Sequence, residues 1–218
     1  MTDFFREVDE DVRRDQAIKL WKKYQNWIIG AALIVVAITG AWRVNEHFRL
    51  QKAESAGARY ESALQLLHDG KPAEAIAALD SLAQDGPRGY ATLARLAAAD
   101  ALATNDPAAA IRAYDALAAD PALDPTYQDV ARLRAAYLRI DSEDPKQFEA
   151  QYAPFAGPNQ AYGSFYRELL ALAAFKLGDF DAAGRWLEEV AADPQAPPAL
   201  RGRAEAFLGL VQAGTLPK

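Results

Sequence analysis

The chain has no cysteine, one methionine and two histidines in 218 residues. The missing thiols exclude disulfides, Cys-ligated zinc and thiol catalysis. His47 and His68 lie far apart in sequence and neither belongs to a metal-ligand pair. His47 therefore reads as a surface residue, and His68 as a helix-end residue whose imidazolium is mildly favoured there. No Gly-rich phosphate loop, nucleophile elbow or calcium loop occurs. The short acidic cluster Asp141-Ser-Glu-Asp144 precedes Pro145 and reads as a solvated loop and helix cap. No run of alternating β-branched residues predicts a sheet. These gaps leave no catalytic constellation and no cofactor or metal site, so the expectation is a binding protein rather than an enzyme.

What the chain has in plenty is alanine, its most frequent residue type, within an apolar share of 51%. Alanine loses no side-chain entropy on entering a helix, and its small size lets helices pack closely. The net charge of −6 is unevenly placed. Residues 1–23 hold six Lys/Arg and six Asp/Glu, whereas residues 44–218 hold 17 Lys/Arg against 24 Asp/Glu, a net −7. An acidic region is repelled by phosphate backbones, which argues against nucleic acid as a partner.

Between these regions, the run from Tyr24 to Trp42 carries no formal charge. At 1.5 Å per residue it would span roughly 28 Å, close to the hydrocarbon thickness of a bilayer. Tyr24, Trp27 and Trp42 stand at its ends as an aromatic belt would, and Lys19, Lys22, Lys23 and Arg43 flank it. The expectation is a transmembrane anchor at 24–42, weighed against a buried core helix and a cleaved signal peptide. The leading segment is half acidic and no Ala-x-Ala site follows Trp42. Ala37 and Ala41 would let a partner helix approach, a weak signal in an alanine-rich helix. Six Lys/Arg before the run against four in the stretch just after it favour a cytoplasmic N-terminus. The implied layout is a cytoplasmic segment 1–23, the anchor, and a domain 43–218 on the far side of the membrane.

After Trp42 the chain is punctuated at Asp69-Gly-Lys-Pro72, Asp85-Gly-Pro87, Asn105-Asp-Pro107, Asp120-Pro121, Asp124-Pro125, Asp144-Pro145, Gly157-Pro158, Gly178-Asp179 and Asp193-Pro194. Asp before Pro is a helix start: the carboxylate caps free N–H groups and proline tolerates the first turn. The breaks predict helix pairs 46–68 with 72–84, 88–104 with 107–119, 126–140 with 145–153 and 161–177 with 181–192. A final helix is predicted at 198–212.

Periods of this size signal a solenoid. Three stretches resemble the tetratricopeptide motif, with small residues where its two helices cross. They are Ala63…Gly70-Lys-Pro-Ala-Glu-Ala75…Leu79…Leu82…Pro87, Ala98…Asn105-Asp-Pro-Ala-Ala-Ala110…Tyr114…Leu117…Pro121, and Ala171…Gly178-Asp-Phe-Asp-Ala-Ala183…Leu187…Val190…Pro194. The hairpin at 126–153 matches poorly, with Gln147 near the small position. The predicted fold is all-α: a transmembrane helix followed by a right-handed solenoid of tetratricopeptide-like hairpins. First helices line the concave face of such a stack. In this register that face carries Tyr60, Leu64 and Leu67, then Arg95, Ala99 and Leu102, then Phe165, Glu168, Leu172 and Phe175. Each of these side chains reads equally as groove or as core between hairpins. The groove would recognise an apolar protein segment, with no small-molecule substrate.

The whole layout resembles the ancillary SecYEG translocon subunit family. The resemblance runs from Asp11 to Leu67 and is carried by Trp21-Lys-Lys23, Gly40-Ala-Trp-Arg43 and Ala58-Arg-Tyr-Glu-Ser-Ala63. It implies one transmembrane helix in a bacterial inner membrane, a periplasmic tetratricopeptide-like domain, association with SecYEG, and partnership with a membrane-anchored periplasmic chaperone. An envelope-assembly scaffold away from the translocon is the alternative.

Overall fold

The computed structural model describes residues 2–214. Every regular element among them is a helix: α1 (Thr2–His68), α2 (Pro72–Asp85), α3 (Arg88–Ala103), α4 (Pro107–Ala118), α5 (Pro125–Arg139), α6 (Pro145–Tyr152), α7 (Gly163–Leu177), α8 (Phe180–Ala192) and α9 (Pro198–Gly214), with a 3₁₀ turn at Ala153–Phe155. The chain divides into two compact units, Met1–Ser55 and Ala56–Lys218.

Local chemistry sets most helix ends. Asp106, Asp124 and Asp144 each precede a proline and accept a backbone N–H, from Ala109, Thr126, and Lys146 with Gln147, at 2.9–3.2 Å. Asp179 caps α8 in the same way through Ala182 N–H. The other two Asp-Pro pairs do not start helices. Asp120 and Asp193 accept from the N–H two residues on, at 3.0 and 2.9 Å, so each closes a turn instead. Gly70 and Gly178, both at φ 75°, end α1 and α7 with left-handed residues.

The first unit corrects the expected anchor. Among the described residues, no helix is long and apolar enough to cross a membrane. Lack of charge is not the same as apolarity. The 24–42 run includes Gln25 and Asn26, and the remainder from Trp27 to Trp42 contains Gly30, Thr39 and Gly40. That remainder rises only about 24 Å, short of the roughly 30 Å hydrocarbon core. The expected single-pass inner-membrane placement, with a cytoplasmic N-terminus and a periplasmic domain, loses its basis with the span. The helix also does not stop at its expected end: α1 continues without a break to His68. Tyr24, Trp27 and Trp42 are exposed on it.

The second unit is a series of helix pairs. In each, a buried alanine of the first helix is followed 12 positions later by a buried residue of the second: Ala63 and Ala75, Ala98 and Ala110, Ala136 and Phe148, Ala171 and Ala183. Three pairs are alanine on alanine, which lets the helices approach closely. The third has a fully buried phenylalanine where the others have a methyl group, next to the Gln147 that the sequence reading sets near this position. Around Phe148, Tyr152 lies at 4.6 Å between ring centroids, and Tyr152 stacks on Tyr166 at 5.9 Å. Aromatic filler thus replaces backbone proximity in this hairpin.

Candidate functional site

A set of ion pairs marks the repeat register. Arg59 binds Asp85 at 2.9 Å, Arg95 binds Asp120 at 2.7 Å, and Arg167 binds Asp193 at 3.1 Å. In each, an arginine on the first helix reaches the aspartate at or just past the end of the second, 22 positions after the crossing alanine of the first. The bonds hold Asp120 and Asp193 below the usual carboxylate range: for Asp120 the Arg95 bond leads, and for Asp193 the Gln195 N–H leads with Arg167 adding. The corresponding position of the third hairpin is Pro158. Its arginine, Arg132, has no strap of this kind. It lies 4.8 Å from the Phe155 ring centroid and bonds Asp129 of its own helix at 2.5 Å.

A second set joins successive first helices. Asp100 of α3 accepts from Arg134 of α5 and from the Tyr114 hydroxyl. Glu168 of α7 accepts twice from Arg203 of α9, at 2.8 and 2.9 Å, and from the Tyr137 hydroxyl of α5 at 3.2 Å. Burial, with the nearby Glu168 charge, pushes the Tyr137 hydroxyl up to about 12. Burial and Asp100 likewise raise Tyr114, and burial followed by Asp100 raises Tyr60. The two bonded groups, around Asp100 and around Glu168, each tie one hairpin to the next.

The residues expected on the concave face divide between several surroundings. Tyr60 and Leu64 are half-buried and pack on the buried cluster of Ala63, Leu79 and Leu82, with the Tyr60 ring 6.3 Å from Tyr90. Arg95 is committed to Asp120. Phe165 packs against both the buried cluster around Phe148 and the one around Leu187, beside Tyr162. Glu168 is 3% exposed and its carboxylate is held by Arg203 and Tyr137. Phe175 is 42% exposed, packs edge-on against Phe180 at 5.4 Å, and lines an apolar crevice with Leu172 and Phe207. Glu168, Leu172 and Phe175 meet in this crevice. Tyr137 and Arg203, absent from the sequence expectation, join them through Glu168. Their signal is the 35-residue spacing of Glu168 and Arg203, matched by Asp100 and Arg134 at 34.

Among the described residues, no group of three His, Asp or Glu side chains is placed to hold a metal ion. The surface offers apolar crevices, aromatic edges and paired charges, which suit contact with another protein.

The profile of the tetratricopeptide repeat-like domain matches residues 19–157. The chain belongs to this family. The match covers more than half of the 218 residues, including the first two hairpins and the third. No curated protein and no solved structure matches the chain. The fourth tetratricopeptide-like hairpin lies beyond the match yet keeps the register, with Ala171, Ala183 and Asp193 in the crossing and strap positions. A tetratricopeptide-like protein is a scaffold for protein partners, and this one is all-helical over the described residues.

Proposed function

We propose that this chain is a scaffold that binds a protein segment across its first-helix side, over the crevice between α7, α8 and α9. The carrying observation is the apolar crevice of Leu172, Phe175 and Phe207, with Tyr137 and Leu210 on neighbouring helices 37% and 58% exposed. Apolar side chains left half in solvent beside a fixed charge network are what a partner buries with gain. Tyr60, Leu64, Arg95, Phe165, Glu168 and Phe175 are assigned to this face. The exposed Phe175 makes direct contact, and the buried Glu168 and paired Arg95 hold the shape. The scaffold carries no catalytic role.

The test is partner capture by the full chain with site-specific photocrosslinkers at Phe175, Tyr137 and, as a control, Arg112 on α4. Capture confined to the first two positions is expected. Equal capture from all three would refute the assignment.

A narrower reading is partnership with the SecYEG translocon and its chaperones. It is supported by the resemblance over residues 11–67, which overlaps the start of the family match at residue 19. The same crosslinks decide it: translocon subunits among the captured proteins support it, and their absence sinks it. Envelope-assembly proteins in their place would favour the alternative scaffold role.

A further inference from the structure

A second cleft lies beside the third hairpin, away from the Phe175 crevice. Asp129 and Arg132 of α5, Phe155 of the 3₁₀ turn, Gln160 and Tyr162 of the following loop, and Tyr166 of α7 line it, around a narrow space of about 10 Å³, enough for a single oxygen atom. Tyr166 is 3% exposed, and its hydroxyl has no hydrogen-bond partner among the described residues. A buried hydroxyl without a partner is costly and uncommon. The residue that carries it lines the cleft. Arg132, in the same lining, uses one guanidinium nitrogen for Asp129 among the described bonds. That bond joins neighbours on one helix, with Asp129 39% exposed, and pairs of this kind are weak and readily exchanged.

The repeat register points to what fits here. In three hairpins the first-helix arginine is met by a carboxylate from its own chain, Asp85, Asp120 or Asp193. In the third the strap position is Pro158, and the loop that would carry the acid forms the cleft wall instead. We infer that this cleft is a carboxylate-binding site, in which an acidic side chain or chain terminus of a partner protein takes the place the aspartates hold elsewhere. The Arg132 guanidinium and the Tyr166 hydroxyl are its donors, with the Gln160 amide at the rim. An open groove of about 340 Å³ shares Arg132 and Phe155 with it, is lined further by Gln151 and the paired Asp115 and Arg139, and leaves room for the segment that bears the acid. The inference rests on the scaffold reading and deepens it by naming one chemical feature of a partner.

The test uses the full-length ¹⁵N-labelled chain and three short peptides at millimolar concentration. One is capped at both ends with an internal aspartate, one has neutral side chains and a free C-terminal carboxylate, and one is capped and neutral. Saturable shifts of the Gln160 side-chain amide and the Arg132 Nε–H with an acid-bearing peptide are expected. The arm that responds tells side chain from chain terminus. Tyr166→Phe should weaken binding roughly tenfold, as loss of a hydrogen bond to a charged acceptor does. It should not lower thermal stability, because the hydroxyl has no protein partner to lose. Arg132→Gln should remove the preference over the neutral peptide. Equal shifts from the neutral peptide, no shift from either acid, or unchanged binding by Tyr166→Phe would each overturn the site. If the peptides fail while crosslinking at Phe175 still captures partners, this site falls and the scaffold reading stands.

Discussion

Replacing Phe148 with alanine would make the third hairpin look like its neighbours in sequence, and the structure says it would be damaging. Ala75, Ala110 and Ala183 hold the same position and are fully buried, and α3 with α4 and α7 with α8 pack closely. At Phe148 the space is filled by a ring that is fully buried, packed against Tyr152 at 4.6 Å and inside the cluster with Leu133, Leu169 and Leu170. Truncating such a ring costs about 3–5 kcal/mol, from lost transfer free energy and the cavity left behind. That is a large part of the roughly 5–15 kcal/mol that stabilises a domain. For a protein of this size each kcal/mol moves the midpoint by about 2–4 °C, so a fall of roughly 6–20 °C is expected. Thermal unfolding by circular dichroism measures it. Native-state hydrogen exchange should place the greatest loss of protection in α6 and the start of α7. The reverse change, Ala110→Phe, should also destabilise, by about 1–3 kcal/mol or more, because that crossing has no room. A neutral or stabilising Phe148→Ala would refute the argument, since it would mean that α5 and α6 can close as the alanine pairs do.

Arg203→Met should destabilise more than Glu168→Gln. The first leaves a buried carboxylate with the Tyr137 hydroxyl as its remaining partner, and the second leaves an arginine that is half in solvent. A double-mutant cycle should give a coupling of about 1–3 kcal/mol, discounted for that exposure. Gly178→Ala should cost about 1–2 kcal/mol, because its φ of 75° lies in the left-handed region. Asp120 has a folded pKa below its usual 3.8, chiefly through Arg95. Its contribution is present above the unfolded value and is lost as the pH falls through the folded one. Urea midpoints should therefore show a low-pH loss that Asp120→Asn lacks. Tyr137 moves the other way. Its neutral form is favoured in the fold up to about 12, so its ultraviolet ionisation should lag behind that of an unfolded control as the pH rises past about 10.

The helical layout is legible in the sequence because its punctuation is local. Asp-Pro pairs and glycines set helix ends through groups two to four residues away, and boundaries from α2 to α9 fall within two residues of those expected. Asp120 and Asp193 show the limit of that rule: the same dipeptide closes a turn when the next residues do not carry a helix. Counting charge in place of apolarity misplaces the first unit, because Gln25 and Asn26 lie inside the run. The arginine straps are hidden by their separation of 25–26 residues, which no local pattern reveals. They become visible once the crossing alanines are aligned. Glu168 and Phe175 come together readily because both project from one helix toward the crevice. Arg203 escapes sequence reasoning because α9 reads as a closing helix with nothing to contribute. Tyr166 gives no sequence signal, since its isolation depends on the loop at 157–162 folding beside it.

The reach of the polar bonds has a kinetic consequence. Among the described residues, no side-chain hydrogen bond joins groups more than 36 positions apart; the longest, from Lys176 to the Ile140 carbonyl, belongs to adjacent hairpins. Contacts of such short loop length cost little closure entropy and form quickly. A growing chain can therefore complete each hairpin once about one further repeat has been synthesised, without waiting for its C-terminus. Folding proceeds along the chain as a front, and each new hairpin docks on a neighbour that is already in place.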